Sequence, residues 1–121
     1  MEVTLYNNTG HPEAYIAEDG EQSIYLWSGH AVAYIVDDKV YGWNGQHLGW
    51  FIDGIIFDQR GLKVGSIAER STYATYAQPA KYAKYAKYAK YARYAAYARP
   101  ALSTSTSQTG LVQFLQSGSV G

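Results

Sequence analysis

Four short segments anchored on Gly10, Gly29, Gly45 and Gly61 constrain this chain more than anything else in it. Aligned on the glycine they read LYNNTGHPEAYIAED, IYLWSGHAVAYIVDD, VYGWNGQHLGWFIDG and IFDQRGLKVGSIAER. Before the glycine stands an aliphatic residue (Leu5, Ile24, Val40, Ile56) followed by an aromatic (Tyr6, Tyr25, Tyr41, Phe57). After it come a small residue (Ala14, Ala33, Gly49, Gly65), then Tyr15, Tyr34, Trp50 or Ser66, and then an acid (Glu18, Asp37, Asp53, Glu69). Branched and aromatic residues flank a T-G, S-G, N-G or R-G centre, where glycine supplies the positive φ of a tight turn, so each unit is predicted to be a β-hairpin. A spacing of 16 residues leaves no room for helices, and the spacing of 19 between the first two units makes Gly20-Glu21-Gln22-Ser23 an insertion. A lone hairpin is marginal in water, so the four must bury their aliphatic positions against one another, either as a closed pseudo-fourfold ring or as a linear stack.

The stretch IYLWSGHAVAYIVDDKVYGWNGQHLGWFIDGIIFDQRGLKVGS, and H-L-G-W-F-I-D-G within it, resembles the four-fold beta flower domain family over about residues 3–70. That resemblance implies a small bacterial domain of four hairpins around a pseudo-fourfold axis, often followed by proline-rich triplets. This chain puts tyrosine where proline is expected. More loosely, Y-G-W-N-G-x-x-x-G-W-F is similar to choline-binding and cell-wall-binding repeats, which implies aromatic cages for quaternary amines or sugars. Trp27, Trp43, Trp50 and the repeat tyrosines are read first as packing residues and second as such a cage.

From Tyr73 to Leu102 every third residue is tyrosine or proline, the next is alanine, and the third is mostly basic. Two conformations compete for this tail. Alanine and lysine favour a helix from about 80 to 98, opened by Pro79 and closed by Pro100. Polyproline II has three residues per turn and would line the tyrosines, alanines and cations into three straight stripes, so the extended form is preferred. Either way the tail is long: ~90 Å as polyproline II or ~45 Å as a helix, against a domain ~22 Å across. The predicted organisation is a four-hairpin β domain at 1–70, the triplet tail at 71–102, a Ser/Thr-rich linker at 103–110 and an apolar terminal segment at 111–121. LVQFL in that last segment is expected to add as a strand.

Charge divides at the same boundary. All ten acids lie in the first 70 residues against four bases, a net −6, while Lys81, Lys84, Lys87, Lys90, Arg93 and Arg99 meet no acid in the tail. Complementary charge of this kind points to a contact between copies, so a homo-oligomer or polymer is expected. Tyr82, Lys84, Tyr85, Lys87, Tyr88, Lys90, Tyr91, Arg93, Tyr94 and Phe114 are its candidate residues, and salt should weaken it. The alternatives are a glycan- or cell-wall-binding module using the hairpin aromatics, and a polyanion or nucleic-acid arm using the tail.

Little else suggests chemistry. The absence of cysteine removes thiolate metal sites and cysteine nucleophiles. The recurring acids could ring a hard cation, yet acids are ordinary where a strand enters a turn. His11, His30 and His47 supply too few matched ligands for a metal and are read as exposed turn residues. Ser28 near His30 is sequence proximity alone, so no catalytic residue, metal or cofactor is expected. Asn7-Asn8-Thr9 is a formal glycosylation acceptor that matters only in a secretory pathway. Neither a secretory leader nor a membrane span is apparent, so cytoplasmic placement is the default and an extracellular one would follow from assembly into a surface fibre.

Overall fold

The computed structural model describes residues 2–103 and 105–120. Thr104 of the predicted linker lies outside them, as do Met1 and Gly121 of the first and last predicted segments. Eight strands follow in chain order: β1 Val3–Asn7, β2 Pro12–Ile16, β3 Ser23–Leu26, β4 Ala31–Val36, β5 Lys39–Gly42, β6 His47–Ile52, β7 Ile55–Phe57 and β8 Lys63–Ser66. Each pairs antiparallel with the next, and β8 returns to β1 through Tyr6 opposite Ser66 and Asn7 opposite Gly65. The hairpins therefore close into a barrel, which abolishes the free edges a linear stack would expose.

The repeat grammar maps directly onto this barrel. The turn glycines Gly10, Gly29, Gly45 and Gly61 have φ between 81° and 100°, and their amides donate to Asn7, Leu26, Gly42 and Asp58. Asp37 and Asp53 occupy the left-handed region at φ 56° and 54°, which suits an aspartate at these two connecting turns. The aliphatic position faces inward, with Leu5, Ile24, Val40 and Ile56 all fully buried. Every hairpin also shifts register just after that residue, so that Val32 as well as Ala33 reaches the core of the second unit. The third and fourth units bury Leu48 and Val64 in the same way. This is the expected effect of a bulge, which sets two residues opposite one and bends the strand.

The apolar terminal segment is a correction to its predicted form. Leu111–Gln116 is a helix, α1, and not an added strand. Its Leu111, Phe114 and Leu115 are buried in the barrel core with Leu5, Ile24, Val40 and Ile56. The small residues of the repeats make the room: a methyl group on Gly65 would stand 3.1 Å from Leu111 Cδ1, and one on Gly49 3.0 Å from the Phe114 ring. Backbone pairing comes instead from the linker, where Thr106 bridges Lys63 in parallel. Between the single-turn 3-10 helix Ala68–Arg70 and this bridge, residues 73–103 have neither helix nor strand. The helix weighed for about 80–98 is therefore not formed.

Candidate functional site

The barrel's outward aromatics set up the site. Alternation along each strand sends Tyr15, Tyr25, Tyr34, Tyr41 and Trp50 to the face opposite the aliphatic core, yet all are buried. The tail lies over Tyr15, Tyr25, Tyr34 and Tyr41, and it passes one hairpin turn for every nine residues. The amides of Tyr76, Tyr85, Tyr94 and Ser103 donate to the carbonyls of Gly10, Gly29, Gly45 and Gly61 at 2.9–3.0 Å. The approach is so close that a Cβ on any of these glycines would collide with the carbonyl of Ala74, Ala83, Ala92 or Ala101. Three triplets therefore match one hairpin, and the residue beyond the glycine conformation is excluded for a second reason, the lack of space.

Between these anchors Trp27 and Trp43 add matching contacts. Tyr82 N–H donates to the Trp27 carbonyl and Tyr91 N–H to that of Trp43. The indole N–H groups of Trp27 and Trp43 donate in turn to the carbonyls of Pro79 and Tyr88. At that register the tail offers an oxygen, so proline can stand there without forfeiting the contact.

The third triplet position turns back to the barrel and brings its cations onto the aromatics. In the first cleft, Lys81 Nζ lies 4.7 Å from the Tyr15 ring centre and 5.3 Å from that of Trp27, and Lys84 Nζ lies 5.1 Å from Tyr25. Both ammonium groups meet Glu2, at 3.0 and 2.8 Å. One hairpin on, Lys90 Nζ stands 4.1 Å over Tyr34 and 5.4 Å from Trp43, with Glu21 at 2.5 Å, and the Arg93 guanidinium lies 5.5 Å from Tyr41. Tyr15 packs parallel to Tyr25 and edge-on to Trp27, and Tyr34 packs the same way against Tyr41 and Trp43. These are two copies of one box, three rings and a carboxylate, each already holding cations of the same chain.

The insertion between the first two units has a function in this arrangement. It carries Glu21 to Lys87 Nζ at 2.9 Å, beside Asp19, the residue just before it, at 2.7 Å. Burial pushes the Asp19 carboxyl upward, but hydrogen bonds from Lys87 and Ser23 outweigh it and hold the group well below the usual carboxylate range. Hydrogen bonds from Lys84 and Lys81 lower Glu2, and those from Lys90 and Lys87 lower Glu21. The Asp19 partner raises Lys87 above the ordinary lysine value. At the position equivalent to Lys87, nine residues on, the tail has Ala96. The turn it passes there, Asp37-Asp38-Lys39, lacks the insertion.

The histidines divide. His11 and His30 are exposed, as predicted, and each stacks on a tail tyrosine: Tyr76 at 4.1 Å and Tyr85 at 4.3 Å. His47 corrects the prediction, being buried against Tyr41 and Trp50. Its Nδ1 accepts the Tyr97 amide at 3.0 Å, which fixes the neutral ring with its proton on Nε2, and burial lowers its pKa. The offset of His47 by one residue from His11 and His30 was the sequence signal for this different role.

The chain matches the family described as 4-fold beta flower protein over residues 3–115. It belongs to that family. The match reaches far past residue 70, so in this beta flower protein the triplet tail and most of α1 fall within the family's span along with the hairpins. No curated protein and no solved structure matches the chain. Among the described residues no helix is long and apolar enough to cross a membrane, and no group of three or more His, Asp or Glu side chains converges as metal ligands do.

Of the ten residues expected to mediate association, the structure brings nine onto one ribbon and separates one. Lys84, Lys87, Lys90 and Arg93 turn inward to the beta flower barrel, while Tyr82, Tyr85, Tyr88, Tyr91 and Tyr94 turn outward. Phe114 is buried with the barrel core, apart from the ribbon.

Proposed function

We propose that this beta flower protein is a non-enzymatic structural protein that associates with copies of itself through the outward face of its tail, as a filament or polymer subunit. The observation that carries this reading is the exposure of eight tail tyrosines, each between 56% and 70%. Exposed aromatic surface of that extent, held on a ribbon fixed by backbone hydrogen bonds, is characteristic of interaction sites. The tail cations support the contact indirectly, by holding the ribbon on its own barrel. Glycan binding by the hairpin rings has less support because the tail covers them, and polyanion binding has less because the cations meet Glu2, Asp19, Glu21 and Asp38 of the same chain.

Sedimentation velocity over a range of concentrations tests the proposal, with a Tyr82→Ser/Tyr88→Ser/Tyr91→Ser/Tyr94→Ser variant beside the native chain. The native chain is expected to form concentration-dependent larger species that persist in salt, and the variant to remain monomeric with unchanged thermal stability. A native chain that stays monomeric at all concentrations, or a variant that associates as well as the native one, contradicts it.

A further inference from the structure

The chain is built as two parts, neither complete without the other. Residues 2–70 supply the barrel, its acids and its aromatic boxes, while residues 73–120 supply the cations, the cover and the core helix. The tail makes its anchoring hydrogen bonds to the barrel and not along itself. Only Ser71 and Thr72 join the parts, between the end of the 3-10 helix and the first triplet. Nothing in the anchoring contacts requires that the tail belong to the barrel it covers. A tail from another copy would meet the same glycine carbonyls at the same nine-residue step, and the same boxes with cations three residues apart.

We propose that a second copy of this chain can donate its residues 73–120, tail and α1 together, to the barrel of the first, crossing over at Ser71-Thr72. The partner subunit then contributes the ammonium groups of both boxes and the apolar residues that fill the barrel. A reciprocal exchange gives a closed dimer and a one-way exchange gives an open chain of subunits. All contacts of the closed monomer are regained, so the exchanged form is favoured by concentration, and the slow step is withdrawal of Leu111, Phe114 and Leu115. This deepens the self-association reading by naming the exchanged element, but it does not use the tyrosine face.

Two full-length charge-reversed chains test it. One carries Glu2→Lys/Glu21→Lys in the barrel, and the other Lys81→Glu/Lys84→Glu/Lys90→Glu in the tail. Each alone opposes like charges at both boxes, whereas exchange between them pairs every box with opposite charge. Unfolding the two together and refolding by dilution should give a one-to-one species of about twice the 13.4 kDa chain mass. Its tail amides should be protected from hydrogen exchange, and neither chain refolded alone should match it. Chains that cannot fold singly do not spoil the test, because recovery in the mixture alone is the expected result. A mixture that gives only monomers, or no more protected tail than the separate chains, overturns the proposal. Tyr82→Ser/Tyr88→Ser/Tyr91→Ser/Tyr94→Ser added to both chains separates the two ideas: exchange should survive it, and its loss would assign the dimer to the tyrosine face and overturn exchange.

Discussion

The barrel and the tail are ordered by different physics. In the barrel, one side chain per hairpin position is removed from water, and Leu5, Ile24, Val40 and Ile56 meet in a core completed by α1. In the tail, residues 73–99 bury almost nothing of their own. They are fixed by main-chain hydrogen bonds to turn carbonyls, by cations over rings and by paired charges, each worth ~1 kcal/mol or less. Such a segment opens at lower cost than the core it covers. Order can thus be lent to a low-complexity ribbon by a surface with a matching repeat.

The largest effect that separates the two regions should come from the core. Leu115→Ala removes a fully buried side chain and is expected to cost about 2–5 kcal/mol in denaturant unfolding, with barrel and tail lost together. Next is Gly29→Ala, where φ is 100° and the new Cβ would collide with the Ala83 carbonyl. It should cost about 1–3 kcal/mol and accelerate exchange of the Tyr85 amide well beyond that of the barrel amides. If Tyr85 stays protected, the glycine contact is not an anchor.

Acid should distinguish the regions more gently. Glu2, Asp19 and Glu21 have lowered pKa values in the folded chain, so their contribution is fully present above their unfolded values near ~4. It is lost as pH falls through the folded ones. His47 is also lowered, so its contribution is present above ~6.5 and declines below that. Amide exchange against pH should therefore show Tyr97 loosening first and the Lys81 to Lys90 stretch afterwards, with the barrel strands intact. The smallest effect is expected from Glu21→Gln, which removes the carboxylate between Lys87 and Lys90. Those groups are partly exposed, so the loss should stay below about 1 kcal/mol and shrink further in high salt.

The hairpins were legible because their rules are local: a glycine turn, a branched inward residue and an aromatic outward one recur within fifteen residues. The tail's lack of a helix was legible for the same reason, since tyrosines spaced by three would wind around a helix of 3.6 residues per turn. Closure was legible only through the family resemblance, because in the residues alone a ring and a stack bury the same aliphatic positions and differ only in whether β8 meets β1. The opposite charges of the two halves were visible, but charge alone does not say whether the partner is the same chain. That information lies in a numerical match, nine tail residues to one hairpin, which spans separations such as Tyr85 to Gly29. LVQFL looked like a strand by composition. As a helix it sets Leu111, Phe114 and Leu115 on one face toward the core and leaves Gln113 and Gln116 exposed.

Residue-resolved hydrogen exchange across 73–103, on dilute full-length protein, tests the central claim most directly. A tail seated on its own barrel predicts protection that recurs with the hairpins, at Tyr76, Tyr85, Tyr94 and Ser103, with Tyr82, Tyr91 and Tyr97 between them and fast exchange at the intervening alanines. Uniformly fast exchange along the ribbon, or a continuous protected block as in a helix, would contradict it.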